Sequence, residues 1–260
     1  MNIIITMAGL GSRFTKAGYE CPKYMIEAKG KTLFEWSMLS LVGYNEHVNK
    51  YIFIVRRENK SKQFIIDEMV KFNITNVEVI EIDYLTDGQA TTALIGVEKC
   101  DENDSILIYN IDTYIEPNNL RFVDLIGDGH IPCFKAPGDH WSFVREENGK
   151  VVDVVEKKRI SDNCSLGAYY FASARLYKEI YNDLYSKYSE NKEKYIAPMY
   201  KRLLDKGYDV TYSIIDNKAV HVLGTPEELQ DFLTQIWFIK AIDIFRLEKK
   251  TSVEALNSIN

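Results

Sequence analysis

Residues Asn2 to Lys23 read NIIITMAGLGSRFTKAGYECPK, and the reading of this stretch decides the fold. Four of the five residues from Ile3 to Met7 are apolar, three of them β-branched isoleucines. Such a short run before a turn predicts a strand buried on both faces of a parallel sheet. The chain then breaks at Ala8-Gly9-Leu10-Gly11, and Ser12 is placed to cap a helix through Arg13 and Phe14. Glycines in such a loop let backbone N–H groups approach a polyphosphate, and a helix N-terminus there favours negative charge. Arg13 adds a planar, permanently charged fork suited to phosphate oxygens. Ten residues on, Pro22-Lys23 supplies a stiff turn and a second cation. These residues predict a grip for a triphosphate.

Other readings of the stretch are weaker. A dinucleotide fingerprint needs glycine where Phe14 stands and an acid after the second strand, where Arg56 and Arg57 follow Val55. A P-loop ending in Gly30-Lys31-Thr32 would place its first glycine at Met25. A tight turn carrying surface charges is the plain alternative.

With 260 residues, 46% of them hydrophobic, the chain can bury a sizeable core. Its net charge of −6 argues against a nucleic-acid surface, while leaving room for a local basic cleft. The four cysteines, Cys21, Cys100, Cys133 and Cys164, show no paired or C-x-x-C spacing. That pattern fits free thiols in a reducing compartment better than disulfides or zinc. No signal-peptide pattern precedes the first strand, and no apolar run approaches the roughly 20 residues that span a bilayer. The expectation is a cytoplasmic protein with no membrane partner.

Outward from the opening stretch, Tyr24 to Glu27 reads as a short extended piece turned by Gly30, followed by a helix over 32–42 capped by Thr32. Strands are expected at 51–55 and 77–82 with a helix at 59–72 between them, and a further helix opens at Asp87 and runs to about Lys99. Ser105 to Ile111 is another apolar strand, ending in Asn110-Ile111-Asp112. An acid at the C-terminal end of a parallel strand stands where open α/β sheets bind ligands. The alternation predicts a doubly wound, mostly parallel, Rossmann-like sheet with helices on both faces. From Ile131 strands follow one another, at 131–135, 141–145, 151–155 and 166–171, with a hairpin at Glu147-Asn148-Gly149-Lys150. They predict an antiparallel subdomain beside the first half. Helices at 174–188 and 193–206, strands at 210–215 and 219–222, and a helix from Glu227 to about Glu248 complete the pattern. The last helix carries Leu229, Phe232, Leu233, Ile236 and Ile239 as a face for packing or for a homo-oligomer.

The opening motif resembles that of the sugar-phosphate nucleotidyltransferases, which join an NTP to a phosphorylated small molecule. Their pattern is a strand, G-x-G-[ST]-R-[FLM], then P-K about ten residues on. Gly9, Gly11, Ser12, Arg13, Phe14, Pro22 and Lys23 fill it here. The resemblance implies one domain over 1–260, with a nucleotide-binding half (1–125), an acceptor-binding half (126–225) and a C-terminal helix (226–260). It implies nucleotide contacts from Ala8, Gly9, Leu10, Gly11 and Ser12, and base contact from Gly88 and Gln89, against the simpler view that Asp87 caps a helix there. It implies Mg²⁺ on Asp112, for which a carboxylate is a suitable hard-oxygen ligand. It also implies acceptor contacts from Glu156, Lys157 and Gly167, the first and last within E-K and G-x-Y-x-F segments; Lys158 stands where many relatives carry proline. Arg13 and Lys23 are then the catalytic cations.

One departure is visible. The family usually carries D-x-G-T-P before its last helix, the aspartate being a second metal ligand, and here that position is Val222. His221 and Asp216 are the nearby candidates to replace it. Similarity in length and opening to capsule and surface-polysaccharide enzymes, including a branch that transfers CMP to phosphoglutamine, favours CTP; sugar 1-phosphates with other NTPs stay open. Two alternatives come from other classes. A nucleotide-sugar glycosyltransferase would use D-x-D, of which Asn110-Ile111-Asp112 has half, and a non-catalytic nucleotide-binding regulator would account for Val222.

Overall fold

The computed structural model describes residues 1–186 and 193–235. The isoleucine run forms β1 (Asn2–Met7), flanked in parallel by β4 (Lys50–Arg56) and β6 (Ile106–Asn110), with Ile4 opposite both Ile52 and Ile108. Strand alternation explains why every residue of the run is apolar. Ile3 and Ile5 enter a core with Phe34, Met38, Phe53, Val55, Ile65 and Met69, whereas Ile4 enters one with Ile52, Ile54, Ala90, Ala93 and Val97. All three isoleucines are fully buried, each contributing about 1.5–3 kcal/mol.

Between β1 and β4 lie α1 (Ser12–Lys16), the small hairpin of β2 (Glu27–Ala28) and β3 (Lys31–Thr32), and α2 (Leu33–Leu39). Lys23–Met25 is a 3₁₀ turn, so the expected extended piece begins later than Tyr24. Thr32 caps α2 as expected, in a reciprocal capping box with Glu35. Ser12 does not cap α1: Gly11, at φ 62°, takes that position, and Ser12 is the first helical residue. β5 (Val77–Ile82) forms the edge beyond β4, reached through α3 (Lys62–Lys71), and α4 (Gln89–Val97) crosses back to β6.

The expected antiparallel strands are present, and they extend the same sheet. Its order is β10-β9-β11-β8-β12-β6-β1-β4-β5, made from β8 (Gly129–Lys135), β9 (Ser142–Glu147), β10 (Lys150–Glu156), β11 (Asn163–Ser165) and β12 (Ala168–Phe171) in addition to the parallel four. β12 is antiparallel to β6 and joins the two kinds of pairing, and β13 (Val210–Ile214) lies parallel to β8. β9 and β10 meet at Asn148-Gly149, both at positive φ, as a two-residue hairpin turn requires.

α5 (Ala174–Tyr185) and α6 (Ala197–Asp205) pack on the face that holds α4. The helix expected from Glu193 begins only at Ala197, because Pro198 occupies its first turn; residues 193–195 are not helical. A separate two-stranded sheet pairs β7 (Thr113–Ile115) with β14 (Val220–Val222), and α7 (Pro226–Thr234) follows. These pieces share a third core in which Trp36 meets Tyr114 and Phe232 at ring-centroid distances of 4.8 and 5.4 Å. Ile236, Ile239 and the remainder of the face expected for self-association lie outside the described residues. Among the described residues, no helix is long and apolar enough to cross a membrane.

Candidate active site

The C-terminal ends of β1 and β6 converge on one mouth of the sheet. Two adjoining cavities, about 710 and about 580 Å³, open there on either side of the glycine loop, both lined by Thr6, Gly9, Leu10, Gly11, Lys23 and Ile111. Gly9 and Leu10 are exposed and Ala8 is buried, so the loop presents backbone to the cavities from a fixed base. Arg13 projects from the first turn of α1, exposed and in no ion pair with a described residue. Lys23 reaches across to Asp112, its Nζ 2.7 Å from Oδ2, with both side chains about a quarter exposed. The structure thus brings the glycine loop, Lys23 and Asp112 together.

Gly88 and Gln89 line the smaller cavity opposite the loop. Asp87 does not cap α4; Gly88 does, at φ 148°. Only glycine fits, since that φ is open to glycine and a Cβ would be driven into the backbone of Lys194. Lys194 is fastened to this corner three times. Its N–H donates to the Asp87 carbonyl (2.8 Å), its carbonyl accepts from Ala90 N–H (2.9 Å), and its Nζ lies 2.6 Å from Asp87 Oδ2. Burial alone would raise the Asp87 carboxyl, but hydrogen bonds from Lys194 and Thr91 outweigh it and hold it below its usual value. Gln89 donates its amide to Asn110 Oδ1 at the end of β6.

The acceptor-side residues stand apart. Gly167, at φ 76°, lies behind Asn110, whose side chain fills the space a Cβ would take. Glu156 ends β10 as a carboxylate that accepts from Ser142 Oγ; burial raises its pKa, a rise that Ser142 and Lys157 oppose. Lys157 follows at φ 53°, a strained value for a lysine, held by its N–H to the Trp141 carbonyl (2.9 Å). Its ammonium donates to Tyr195 Oη and sits 3.9 Å from Glu193 Oε2. Glu193 in turn lines the smaller cavity. Glu193, Lys194 and Tyr195 were invisible as site residues in the sequence, where their charge pattern reads as a helix surface.

Likeness to a solved structure over nearly the whole chain decides the family. A nucleoside-diphosphate-sugar pyrophosphorylase from Vibrio cholerae RC9 superposes with a TM-score of 0.83 at 36% identity, covering 90% of this chain and all of that one. The chain belongs to the sugar-phosphate nucleotidyltransferase family. The inositol-1-phosphate CTP transferase from T. maritima (TM-score 0.71, 15% identity, covering 87% of this chain and 90% of that chain) and HddC from Yersinia pseudotuberculosis (0.62, 19%, 89% and 99%) share the fold. No family model and no curated protein matches the chain.

Enzymes of this nucleotidyltransferase family generally depend on a divalent metal, and the donor set at Asp112 can be tested for it. Among the described residues, no three histidine, cysteine, aspartate or glutamate side chains form a ligand cluster. A Mg²⁺ that keeps waters and bridges substrate phosphates needs only one or two carboxylates. Asp112 offers one, at a point where the Lys23 ammonium already stands as a cation. The residues fit a metal shared with a bound triphosphate. Val222 brings no oxygen from its side chain and pairs with Thr113 in the small sheet. Of the suggested replacements, His221 stacks on Tyr114 at 5.4 Å and Asp216 accepts from Lys218 N–H at 2.9 Å. An acid that approaches Asp112 is Glu228. A Cβ on Gly224 would stand 3.4 Å from both Asp112 Oδ2 and Glu228 Oε2. Glu228 also accepts from Gly224 N–H (3.0 Å), and its pKa is raised by burial and then by the charge of Asp112.

Proposed function

We propose that this nucleotidyltransferase moves an NMP from an NTP, CTP by preference, to a phosphorylated small molecule with release of pyrophosphate. The acceptor is a sugar 1-phosphate or phosphoglutamine, and the setting is capsule or surface-polysaccharide synthesis in the cytoplasm. The observation that carries this reading is the meeting of the Gly9–Gly11 loop, Lys23, Asp112 and Gly88-Gln89 around adjoining cavities.

An acceptor phosphate oxygen attacks the α-phosphorus in line, a new P–O bond forms, and the bond to the β-phosphate oxygen breaks with its electrons leaving on pyrophosphate. A phosphate nucleophile is already anionic, so no general base is required, and catalysis rests on placement and charge. Arg13 neutralises the departing pyrophosphate, Lys23 leaves Asp112 for the α-phosphate, and Lys157 receives the acceptor phosphate. Asp112 and the phosphate oxygens would hold Mg²⁺, which when bound supplies further neutralisation of the triphosphate. Gln89 spends its amide N–H on Asn110, which leaves its carbonyl oxygen to accept from an exocyclic amino group. Cytosine carries one at the position where uracil and thymine carry an oxygen, which favours CTP over UTP and dTTP.

Pyrophosphate release, measured with Mg²⁺ for each NTP crossed with sugar 1-phosphates and phosphoglutamine, tests the proposal. A signal requiring one NTP and one acceptor together is the expected result. Hydrolysis of a nucleotide sugar without pyrophosphate would indicate a glycosyltransferase, and NTP binding without turnover a regulator.

A further inference from the structure

The side chain of Tyr195 stands outside the triphosphate grip, yet its hydroxyl sits between two groups of opposite charge. It accepts from the Lys157 ammonium and donates to the Glu193 carboxylate. The Lys157 Nζ also lies 4.3 Å from the centre of the Tyr195 ring, and 3.9 Å from Glu193 Oε2. One carboxylate is therefore held by an ammonium and a phenol, which is the donor set that a phosphate monoester takes. Glu193 is also the residue of this trio that lines the cavity containing Asp112 and Gln89.

The backbone fixes where this donor pair stands. Lys194 is tied to Asp87 and Ala90 and passes close over Gly88 on the nucleotide side, and Tyr195 is the next residue. Lys157 is aimed by its positive φ and by the Trp141 carbonyl. A long lysine stem loses rotamer entropy when fixed, and the phenol and ring of Tyr195 meet its exposed end.

We propose that Tyr195 and Lys157 together form the seat of the acceptor phosphate, and that the Glu193 carboxylate holds this seat until the phosphate displaces it. The proposal rests on the proposed function, in which Lys157 meets the acceptor. On arrival of the acceptor, the Tyr195 hydroxyl exchanges one anionic oxygen for another, and Glu193 turns to solvent. The anchored Lys194 keeps the seat at a fixed place relative to Gly88-Gln89, so the acceptor phosphate is delivered beside a nucleotide bound there.

The two side chains then have opposite effects, which a merely structural role would not produce. Tyr195→Phe removes the donor and should raise the acceptor KM about tenfold, the usual scale for a hydrogen bond to a charged group, with the KM for NTP unchanged. Glu193→Gln removes the competing charge and should lower the acceptor KM severalfold at low ionic strength. Both are measured with the NTP and acceptor pair that releases pyrophosphate. Inorganic phosphate, titrated by calorimetry into the NTP-bound protein, gives a readout without turnover and should follow the same two directions. Lys157→Ala separates the layers. If it leaves acceptor and phosphate binding intact, the parent reading falls together with this one. If it weakens both while the Tyr195 and Glu193 variants fail to move in opposite directions, the Tyr195 seat alone is overturned.

Discussion

The parallel half of the sheet and its antiparallel continuation hold their charged residues in different ways. At the ends of β1 and β6, the glycine loop and Asp112 follow strands whose every apolar residue is buried, and Lys23 reaches Asp112 from a 3₁₀ turn. Beyond β12, Lys157 stands exposed at the end of β10, and its partners Glu193 and Tyr195 come from a non-helical piece of chain before α6. The first region is built by backbone pairing and core packing. The second is closed by side-chain hydrogen bonds and charges that an incoming anion can replace. The difference suits a reaction in which a nucleotide is gripped tightly and a smaller acceptor enters afterwards.

The sharpest way to break this contrast lies in the parallel half. Arg13→Ala and Lys23→Ala should each lower turnover by about 10²-fold or more, without loss of the folded core as judged by thermal melting; near-normal turnover in both would remove the triphosphate grip. The next effect belongs to the antiparallel half. His130 on β8 is buried, with Nδ1 2.8 Å from Thr211 Oγ1 and Nε2 3.0 Å from Ser213 Oγ on β13. Burial depresses its pKa from 6.5 to about 4, outweighing the pull of Asp124. The folded protein therefore resists protonating it, so its contribution is intact above pH 6.5 and is lost as pH falls towards 4. At about 1.4 kcal/mol per unit this amounts to about 3 kcal/mol. Urea midpoints followed from pH 7 to 4 should show that loss, and His130→Gln should flatten the slope.

Gly88→Ala joins the two halves in one experiment. The substituted backbone must leave φ 148° or push Lys194 away, at a cost of about 1–3 kcal/mol, and the KM values for NTP and acceptor should rise together. A rise in the NTP value alone would show that the 193–195 piece does not depend on its close passage over Gly88. The smallest effect is local: Thr225 accepts from Glu228 N–H at the start of α7, and Thr225→Ala should cost about 1 kcal/mol in chemical denaturation.

The sequence was legible where function sits on local geometry. A β-branched run followed by a pair of glycines, and an acid closing the later strand from Ser105, each lie within a single strand-to-loop unit, and an acid at the C-terminal end of a parallel strand falls where open α/β sheets bind ligands. It was illegible where remote pieces of chain meet. Glu193-Lys194-Tyr195 follows a charged stretch and reads as helix until Pro198 delays the start of α6 to Ala197. Glu228 reads as an ordinary first-turn acid, and only the fold sets its carboxylate beside Asp112. Ser12 and Asp87 failed as helix caps for one reason: in each case an adjacent glycine takes a backbone angle that puts the cap one place away.

The close passage of Lys194 over Gly88 has a consequence for recombination. The two halves invite treatment as exchangeable cassettes, one for the base and one for the acceptor, with the seam between β7 and β8. A graft cut there would keep backbone over Gly88 but could place at 194 a side chain that does not pair with Asp87 as the resident lysine does. Chimeras that change acceptor therefore need residues 86–90 and 193–195 to travel together, as one inherited unit.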